Sequence, residues 1–361
     1  MEVLLFLEGI YDNYHMVITM SGRFPVKGRF KLEMPQPQET PNLNLDDKCK
    51  IKLTNDSEEI EIAAKDLEVL EELGKGGYGV VDKMRHRQSG IIMAVKRISS
   101  SINEESQKRM LTELDACKRS DCCPQMVRFY GAMFREGDVW ICMEVMDTSL
   151  DKFYKKCNAL GRKLPEPFIA KVTLSVVEGL NFMKEDMNLI HRDVKPSNIL
   201  LNRHGQVKIC DFGISGHLTN SLAKTVAAGC KFYMPPERID GDMKGSYDVR
   251  ADVWSLGITL VEIATGNYPY DIWVTPFQQL NQVLNQPAPR LPSDGSFTPE
   301  CQHFVQRCLE KDPLQRPKYP ELLAMPFLNS ARNEKQFSMA KFMVEILDAP
   351  QPPQPATKKR V

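Results

Sequence analysis

No apolar run in the 361 residues approaches the roughly 20 needed to span a bilayer. Charge of one sign is also lacking: forty-seven Lys and Arg balance forty-seven Asp and Glu, for a formal net charge of zero. A nucleic-acid binder carries a basic excess, so neither a membrane nor a nucleic acid is an expected partner. The ten cysteines form no C-x-x-C pair. Cys122 and Cys123 are adjacent rather than spaced for a metal, and the set reads as reduced thiols of an intracellular protein. Val3 to Leu7 is apolar, but Glu2 and Glu8 flank it and no basic stretch precedes it, so a signal peptide is not expected.

What is present points to phosphoryl chemistry. The hydrophobic fraction of 42% supports a sizeable core, and the length suits two domains or one two-lobed domain with tails. The octet His191-Arg192-Asp193-Val194-Lys195-Pro196-Ser197-Asn198 offers a carboxylate, two cations and an amide. Asp193 can accept a hydroxyl proton, and Asn198 can hold a metal. Phosphoryl transfer asks little more of a protein than positioning and charge neutralisation. Asp211-Phe212-Gly213 comes after a strand-like Val207-Lys208-Ile209-Cys210, so a second carboxylate is well placed to bind Mg²⁺ across from Asn198. His191 and Phe212 read as packing residues. Before the octet, Pro165 to Met183 has apolar residues at helical spacing.

Upstream, Gly74-Lys75-Gly76-Gly77-Tyr78-Gly79-Val80-Val81 spells G-x-G-x-x-G-x-V. Glycines let a backbone approach phosphate oxygens with no Cβ in the way. The motif alone is weak. In a dinucleotide fold it opens a helix, whereas Val80, Val81 and Met84 lead into a second strand, which favours a glycine-rich hairpin after a strand from Asp66. Ile91 to Lys96 reads as a strand ending in lysine. A lysine on a buried strand is costly unless paired; a phosphate satisfies it, as does a carboxylate from the amphipathic stretch Glu104 to Arg119, Glu113 first and Asp115 second. Val127 to Tyr130 and Val139 to Met143 read as two more strands. Glu144-Val145-Met146 is then the connector into a second lobe, with backbone groups suited to an adenine edge and Met143 behind the pocket.

Together these residues identify a family. From about Asp66 to Leu328 the chain resembles the eukaryotic protein kinases, with the glycine loop, Ala94-Val95-Lys96, His-Arg-Asp with its Asn, and Asp-Phe-Gly in order. The resemblance implies an α+β, two-lobed fold: a small antiparallel β-sheet lobe with one regulatory helix (66–143), a hinge (144–146) and a larger, mainly helical lobe (147–328). It implies ATP and Mg²⁺. Leu73, Gly74, Lys75, Gly76, Gly77, Tyr78, Gly79, Val80, Val81, Ala94, Lys96, Met143, Glu144, Met146 and Ser197 would line the nucleotide site. Asn198 and Asp211 would hold the metal. Asp193, Lys195, Lys96 and Glu113 would carry catalysis, with Lys195 of the kind found in serine/threonine-directed kinases. Arg192, Glu237, Asp252 and Arg316 would be structural: Asp252 bracing the catalytic loop, and Arg316 pairing with Glu237.

The resemblance narrows to the dual-specificity MAP kinase kinases, on Phe134 to Glu144, on Cys210-Asp211-Phe212-Gly213-Ile214-Ser215-Gly216 and on Gly229-Cys230-Lys231. Asp147 to Tyr154 is similar to the stress-activated branch, closer to activators of the osmotic-stress and cytokine-responsive MAP kinases. Arg316-Pro317-Lys318-Tyr319 and Ala264-Thr265-Gly266 look more like activators of the Jun N-terminal kinases, the alternative. Membership implies phosphorylation of a MAP kinase on Thr and Tyr, activation by an upstream kinase at Ser221 and Thr225, and a cytoplasmic location, with the nucleus as a second compartment. Pro235-Pro236-Glu237 and Phe232 depart from the usual pattern where substrate docks. A pseudokinase scaffold is the rival from another class; it would lack a metal or proton-handling residue, and none is missing.

Around this domain, 1–60 reads as a flexible segment in which Lys27 to Met34, basic and then Leu-x-Met, is either a docking motif for a MAP kinase or a solvated tail. Residues 329–348 hold a short amphipathic helix, Phe337 to Leu347. It either docks the upstream kinase or packs on its own domain. Residues 349–361 are proline-rich, then basic, and read as a disordered tail.

Overall fold

The computed structural model describes residues 46–53, 57–76, 79–99, 114, 119, 122–211, 230–239, 248–270 and 276–350. Its first element is a hairpin of β1 (Lys48–Ile51) and β2 (Ile60–Ala63). Next comes a five-stranded antiparallel sheet, built from β3 (Leu67–Gly76), β4 (Gly79–His86), β5 (Ile92–Ser99), β6 (Phe129–Arg135) and β7 (Asp138–Met143) in the order β3-β4-β5-β7-β6. Side chains alternate between the two faces of a strand, and both faces here are used. Met84, Met93, Val95, Met133 and Cys142 cluster with Ile51 and Ile62 of the hairpin. Ile98, Val139 and Ile141 join the core of the helical lobe. The hairpin sits so close that a Cβ on Gly131 would lie 2.8 Å from Cys49 Sγ.

Residues 46–53 and 57–60 therefore belong to folded structure, where the sequence pattern suggests a flexible segment. Two strands also differ in extent. The strand expected to end at Lys96 runs on to Ser99. The strand expected at Val127 to Tyr130 spans Phe129 to Arg135. The cause is competition for backbone groups: Val127 N–H donates to Ile209 O (3.1 Å) and Arg128 N–H to the Glu144 carboxylate (2.6 Å), so neither starts the ladder.

Beyond the sheet the chain is mainly helical. A small sheet of β8 (Thr148–Ser149), β9 (Ile199–Leu201) and β10 (Val207–Ile209) underlies the cleft. The helices are α1 (Leu150–Ala159), α2 (Glu166–Glu185), α3 (Pro236–Ile239), α4 (Arg250–Thr265), α5 (Pro276–Asn285), α6 (Pro299–Cys308), α7 (Tyr319–Leu323), α8 (Pro326–Asn333) and α9 (Met339–Asp348). In α2 the buried residues Phe168, Ile169, Val172, Val176, Leu180 and Met183 form a helical stripe. Buried nearly all round, α4 forms the axis of the lobe, and it ends on Gly266 in the left-handed conformation (φ 80°). The two lobes meet at a parallel bridge, where Ile209 N–H donates to Gln125 O (2.8 Å) and its carbonyl accepts from Val127.

The C-terminal helix α9 packs on its own domain. Phe342, Met343 and Ile346 are buried in the main core. Phe342 contacts Phe153, Phe168 and Phe337, Arg162 pairs with Glu345 at 2.7 Å, and Lys156 Nζ donates to Leu347 O at 2.7 Å. The folded unit thus extends to α9, past the expected boundary at Leu328. The apolar face of α9 is already used, which weighs against its serving as a separate docking peptide. Phe342→Ala should lower the unfolding free energy of the full chain by about 3–5 kcal/mol. Urea denaturation measures it, and a loss under about 1 kcal/mol, far below the usual cost of emptying a core phenylalanine site, would mean that α9 is not part of the fold.

Candidate active site

The glycine-rich segment lies where β3 turns into β4. Gly74 is paired with Val81, Lys75 with Val80, and Gly76 with Gly79; Gly77 and Tyr78 lie outside the described residues. Gly79 has φ 145°, and a Cβ there would stand 1.9 Å from Arg97 O, so only glycine fits. Strand register carries Val81 beside Lys96 and Ala94 beside Met143, all on the face turned toward the helical lobe. From across the cleft, Lys152 Nζ donates to Leu73 O at 2.8 Å.

Lys96 is 5% exposed. Its Nζ lies 2.8 Å from Asp211 Oδ1. Glu113 and Asp115, the carboxylates expected for it, lie outside the described residues, as do Phe212, Ser221 and Thr225. Burial pushes the Asp211 carboxyl up, but the Lys96 ammonium, with smaller help from His191 and Lys195, holds the group below its usual value. Asp211 sits in the left-handed region (φ 59°), as does Arg192 (φ 67°). For a residue as large as arginine that conformation is strained and persists only when its neighbours enforce it.

The enforcing neighbour is Asp252, fully buried on α4. Its carboxylate accepts the backbone N–H of His191 (2.9 Å) and of Arg192 (2.8 Å), and the Tyr319 hydroxyl (3.1 Å). Burial raises its carboxyl above the ordinary range; His191, the two N–H groups and the hydroxyl oppose this only in part. His191 is buried and bridges two loops. Its Nδ1 accepts Asp193 N–H (3.3 Å), which leaves the proton on Nε2, facing Cys210 O at 2.9 Å. Cys210 N–H in turn donates to Asn198 O at 3.0 Å.

Asp193 is held from two sides. Lys195 Nζ is 2.7 Å from its Oδ2. Asn198 Nδ2 donates both to that oxygen (2.9 Å) and to Asp193 O (2.8 Å). With its amide nitrogen so engaged, Asn198 turns Oδ1 the other way. Ser197, exposed in the single turn Pro196–Asn198, stands beside it. Lys96, Asp193, Lys195, Asn198 and Asp211 are thus joined by two contact clusters and the Cys210–Asn198 bond.

Support lies further out. Arg316 is 1% exposed. It makes a two-pronged pair with Glu237 (2.7 and 3.1 Å), donates to the carbonyls of Arg250 and Glu310, and lies over Trp254. Glu262, buried on α4, accepts from the hydroxyls of Tyr154 and Tyr233 (2.6 Å each) and so anchors the turn Cys230–Tyr233. Phe232 is exposed and packs edge-on against Tyr268.

At the connector, Met143 is half-buried beside Ala94 and Phe129. The Met146 sulfur is 3.9 Å from Asn202 Nδ2. Glu144 N–H is committed to Arg128 O (3.0 Å), so its main chain can offer a nucleotide only the carbonyl. Sequence reasoning passed over Lys152, Tyr154, Glu262 and Lys208. The last carried a legible signal: a lysine between Val207 and Ile209 on a buried strand poses the same question that singled out Lys96.

The donor chemistry suits Mg²⁺. Asn198 and Asp211 offer hard oxygens, and Mg²⁺ commonly takes one or two protein oxygens with phosphate and water completing its shell. No group of three or more His, Cys, Asp or Glu that could hold a metal occurs among the described residues. No helix among them is long and apolar enough to cross a membrane.

Comparison with known proteins agrees with this geometry. The protein kinase domain family matches residues 67–328. The chain is 76% identical over 318 residues to the dual specificity mitogen-activated protein kinase kinase sek-1 of Caenorhabditis elegans, covering 88% of this chain and 95% of that protein. It is 44% identical over 316 residues to dual specificity mitogen-activated protein kinase kinase 7 of Homo sapiens, covering 84% of this chain and 75% of that one. The Mus musculus protein of the same name is also 44% identical over 316 residues (84% and 58%).

Asp252→Ala should leave ATP binding within about twofold yet cut turnover about a hundredfold, since a misplacement near 1 Å at the reacting groups costs that much. Calorimetry with ATP and a kinase assay separate the two. Unchanged turnover would show that the loop holds itself.

Proposed function

Since the chain belongs to the protein kinases, among the dual-specificity mitogen-activated protein kinase kinases, we propose that it moves the γ-phosphoryl group of ATP to the Thr and Tyr of a stress-activated MAP kinase activation loop. The observation that carries this reading is the set of contacts joining Lys96 to Asp211 and Asp193 to Lys195 and Asn198 in one cleft.

The roles come from charge and reach. The glycine loop (Leu73, Gly74, Lys75, Gly76, Gly77, Tyr78, Gly79, Val80 and Val81) covers the phosphates, and Lys96 neutralises them, with Glu113 as the carboxylate that orients it. Ala94, Met143 and the connector residues Glu144 and Met146 bound the adenine; Ser197 lies by the phosphates. Asn198 and Asp211 would hold Mg²⁺, which supplies charge neutralisation at the phosphoryl oxygens. Asp193 orients the attacking hydroxyl and takes its proton. Lys195, 2.7 Å from Asp193, places a positive charge beside the transferring group. Asp252, Arg192, Glu237 and Arg316 keep the loops in register.

Regulation acts through the same site. Phosphates at Ser221 and Thr225 each add about −2 charge, and Arg192, next to the catalytic Asp193, is the cation to receive one. The substrate is a MAP kinase of the osmotic-stress and cytokine-responsive class, with Lys27 to Met34 as its docking segment and an upstream kinase as activator. The wording Arg316-Pro317-Lys318-Tyr319 favours the second reading, an activator of Jun N-terminal kinases.

Lys96→Met and Asp211→Ala should each lower phosphoryl transfer by at least about 10²–10³-fold while the protein stays folded. Near-normal turnover by Asp211→Ala overturns the metal assignment. Ser221→Ala with Thr225→Ala should resist upstream activation in stimulated cells. Reacting the activated protein with each stress-class MAP kinase, and reading Thr and Tyr phosphorylation separately by mass spectrometry, decides the substrate class. Transfer to neither residue in any of them would sink the proposal.

A further inference from the structure

Among the buried charged side chains, Lys208 has no part in the chemistry above. Lys208 on β10 is 8% exposed. Its Nζ reaches out of the large lobe to Glu144 Oε1, 2.5 Å away, at the root of the connector. The same carboxylate oxygen accepts Arg128 N–H at 2.6 Å, from the start of β6 in the small lobe. Arg128 O takes Glu144 N–H back at 3.0 Å, and the Arg128 guanidinium donates to Leu53 O of the hairpin at 2.7 Å. Next to Lys208, both backbone groups of Ile209 are given to the Gln125–Val127 segment. One carboxylate therefore ties together the connector, the small lobe and the large lobe.

We infer that Lys208 is a positioning residue for nucleotide binding: through the Glu144 carboxylate it fixes the connector backbone, and with it the angle between the lobes. The inference rests on the reading that the connector holds the adenine. The physical reason is the cost of a buried charge. With Lys208 present, the carboxylate is neutralised in one geometry, and the main chain of residue 144 cannot turn without breaking the contact. Without it, a desolvated carboxylate is left with only a backbone N–H as its partner among the described residues and swings toward water. The mutual hydrogen bonds with Arg128 then loosen, and the connector loses the orientation it presents to the cleft.

The effect belongs to the adenine end of the ligand, and that separates it from general damage. For the full-length protein, calorimetric titration with ATP and with adenosine should show Lys208→Met weakening both by the same factor, about tenfold, the order of one charge-assisted hydrogen bond. Lys96→Met should weaken ATP alone. Lys208→Arg should restore affinity to within about twofold, and Lys208→Met combined with Glu144→Gln should be no worse than Lys208→Met, as expected for two groups acting as one unit. Should Lys208→Met not fold, Glu144→Gln, which keeps the shape and removes the charge, carries the test. Unchanged affinity for both ligands in a folded variant overturns the inference. So does a loss confined to ATP. Failure of the unaltered protein to bind either ligand would instead overturn the reading of the connector.

Discussion

A buried carboxylate, Asp252, is the constraint on which the site depends. It stands at the first turn of a helix with almost no exposed side chain, and two of its partners are backbone N–H groups of the catalytic loop. That loop is not regular structure and carries a left-handed arginine, so it has no ladder of its own to hold it. Burial makes the carboxylate costly, and the three hydrogen bonds it accepts offset that cost. Asp193 sits one residue beyond the second bond. The position of Asp193, the proposed proton acceptor, is thus set from inside the core.

The same device recurs at each joint. Glu237 and Arg316 tie α3 to the far side of the large lobe. Glu262 ties Tyr154 and Tyr233. Glu144 and Lys208 join the lobes behind the cleft. In each case a long polar side chain spans elements far apart in sequence, and its burial makes the alternative arrangements expensive. Apolar packing accounts for the bulk of the core but does not discriminate between small rotations; charged hydrogen bonds with fixed geometry do.

Much of the fold was legible in the sequence. The period of the apolar residues gave α2, and the glycine pattern gave the β3–β4 hairpin. Errors clustered where backbone groups are spent outside their own element. Val127 and Arg128 look like strand residues, yet their N–H groups go to Ile209 and Glu144. The β1–β2 hairpin was missed as a unit because its two short strands gain stability from the outer face of the sheet, around Met84, Met93 and Cys142. In the same way the amphipathic pattern of α9 marked an apolar face but could not say that Phe153 and Phe168 fill it.

The residue types and their order by themselves determined which chemistry is proposed: a carboxylate with a lysine two places on, an asparagine suited to a metal, a second carboxylate, and glycines before a strand. Those identities are local, and each answers what a phosphate or a metal requires. Only the tertiary structure decided which charges meet. Lys96 contacts Asp211, 115 positions away, and Lys208 finds Glu144 rather than water. Such pairings depend on the path of the chain through two lobes, because a buried charge takes whatever partner the packing brings within reach.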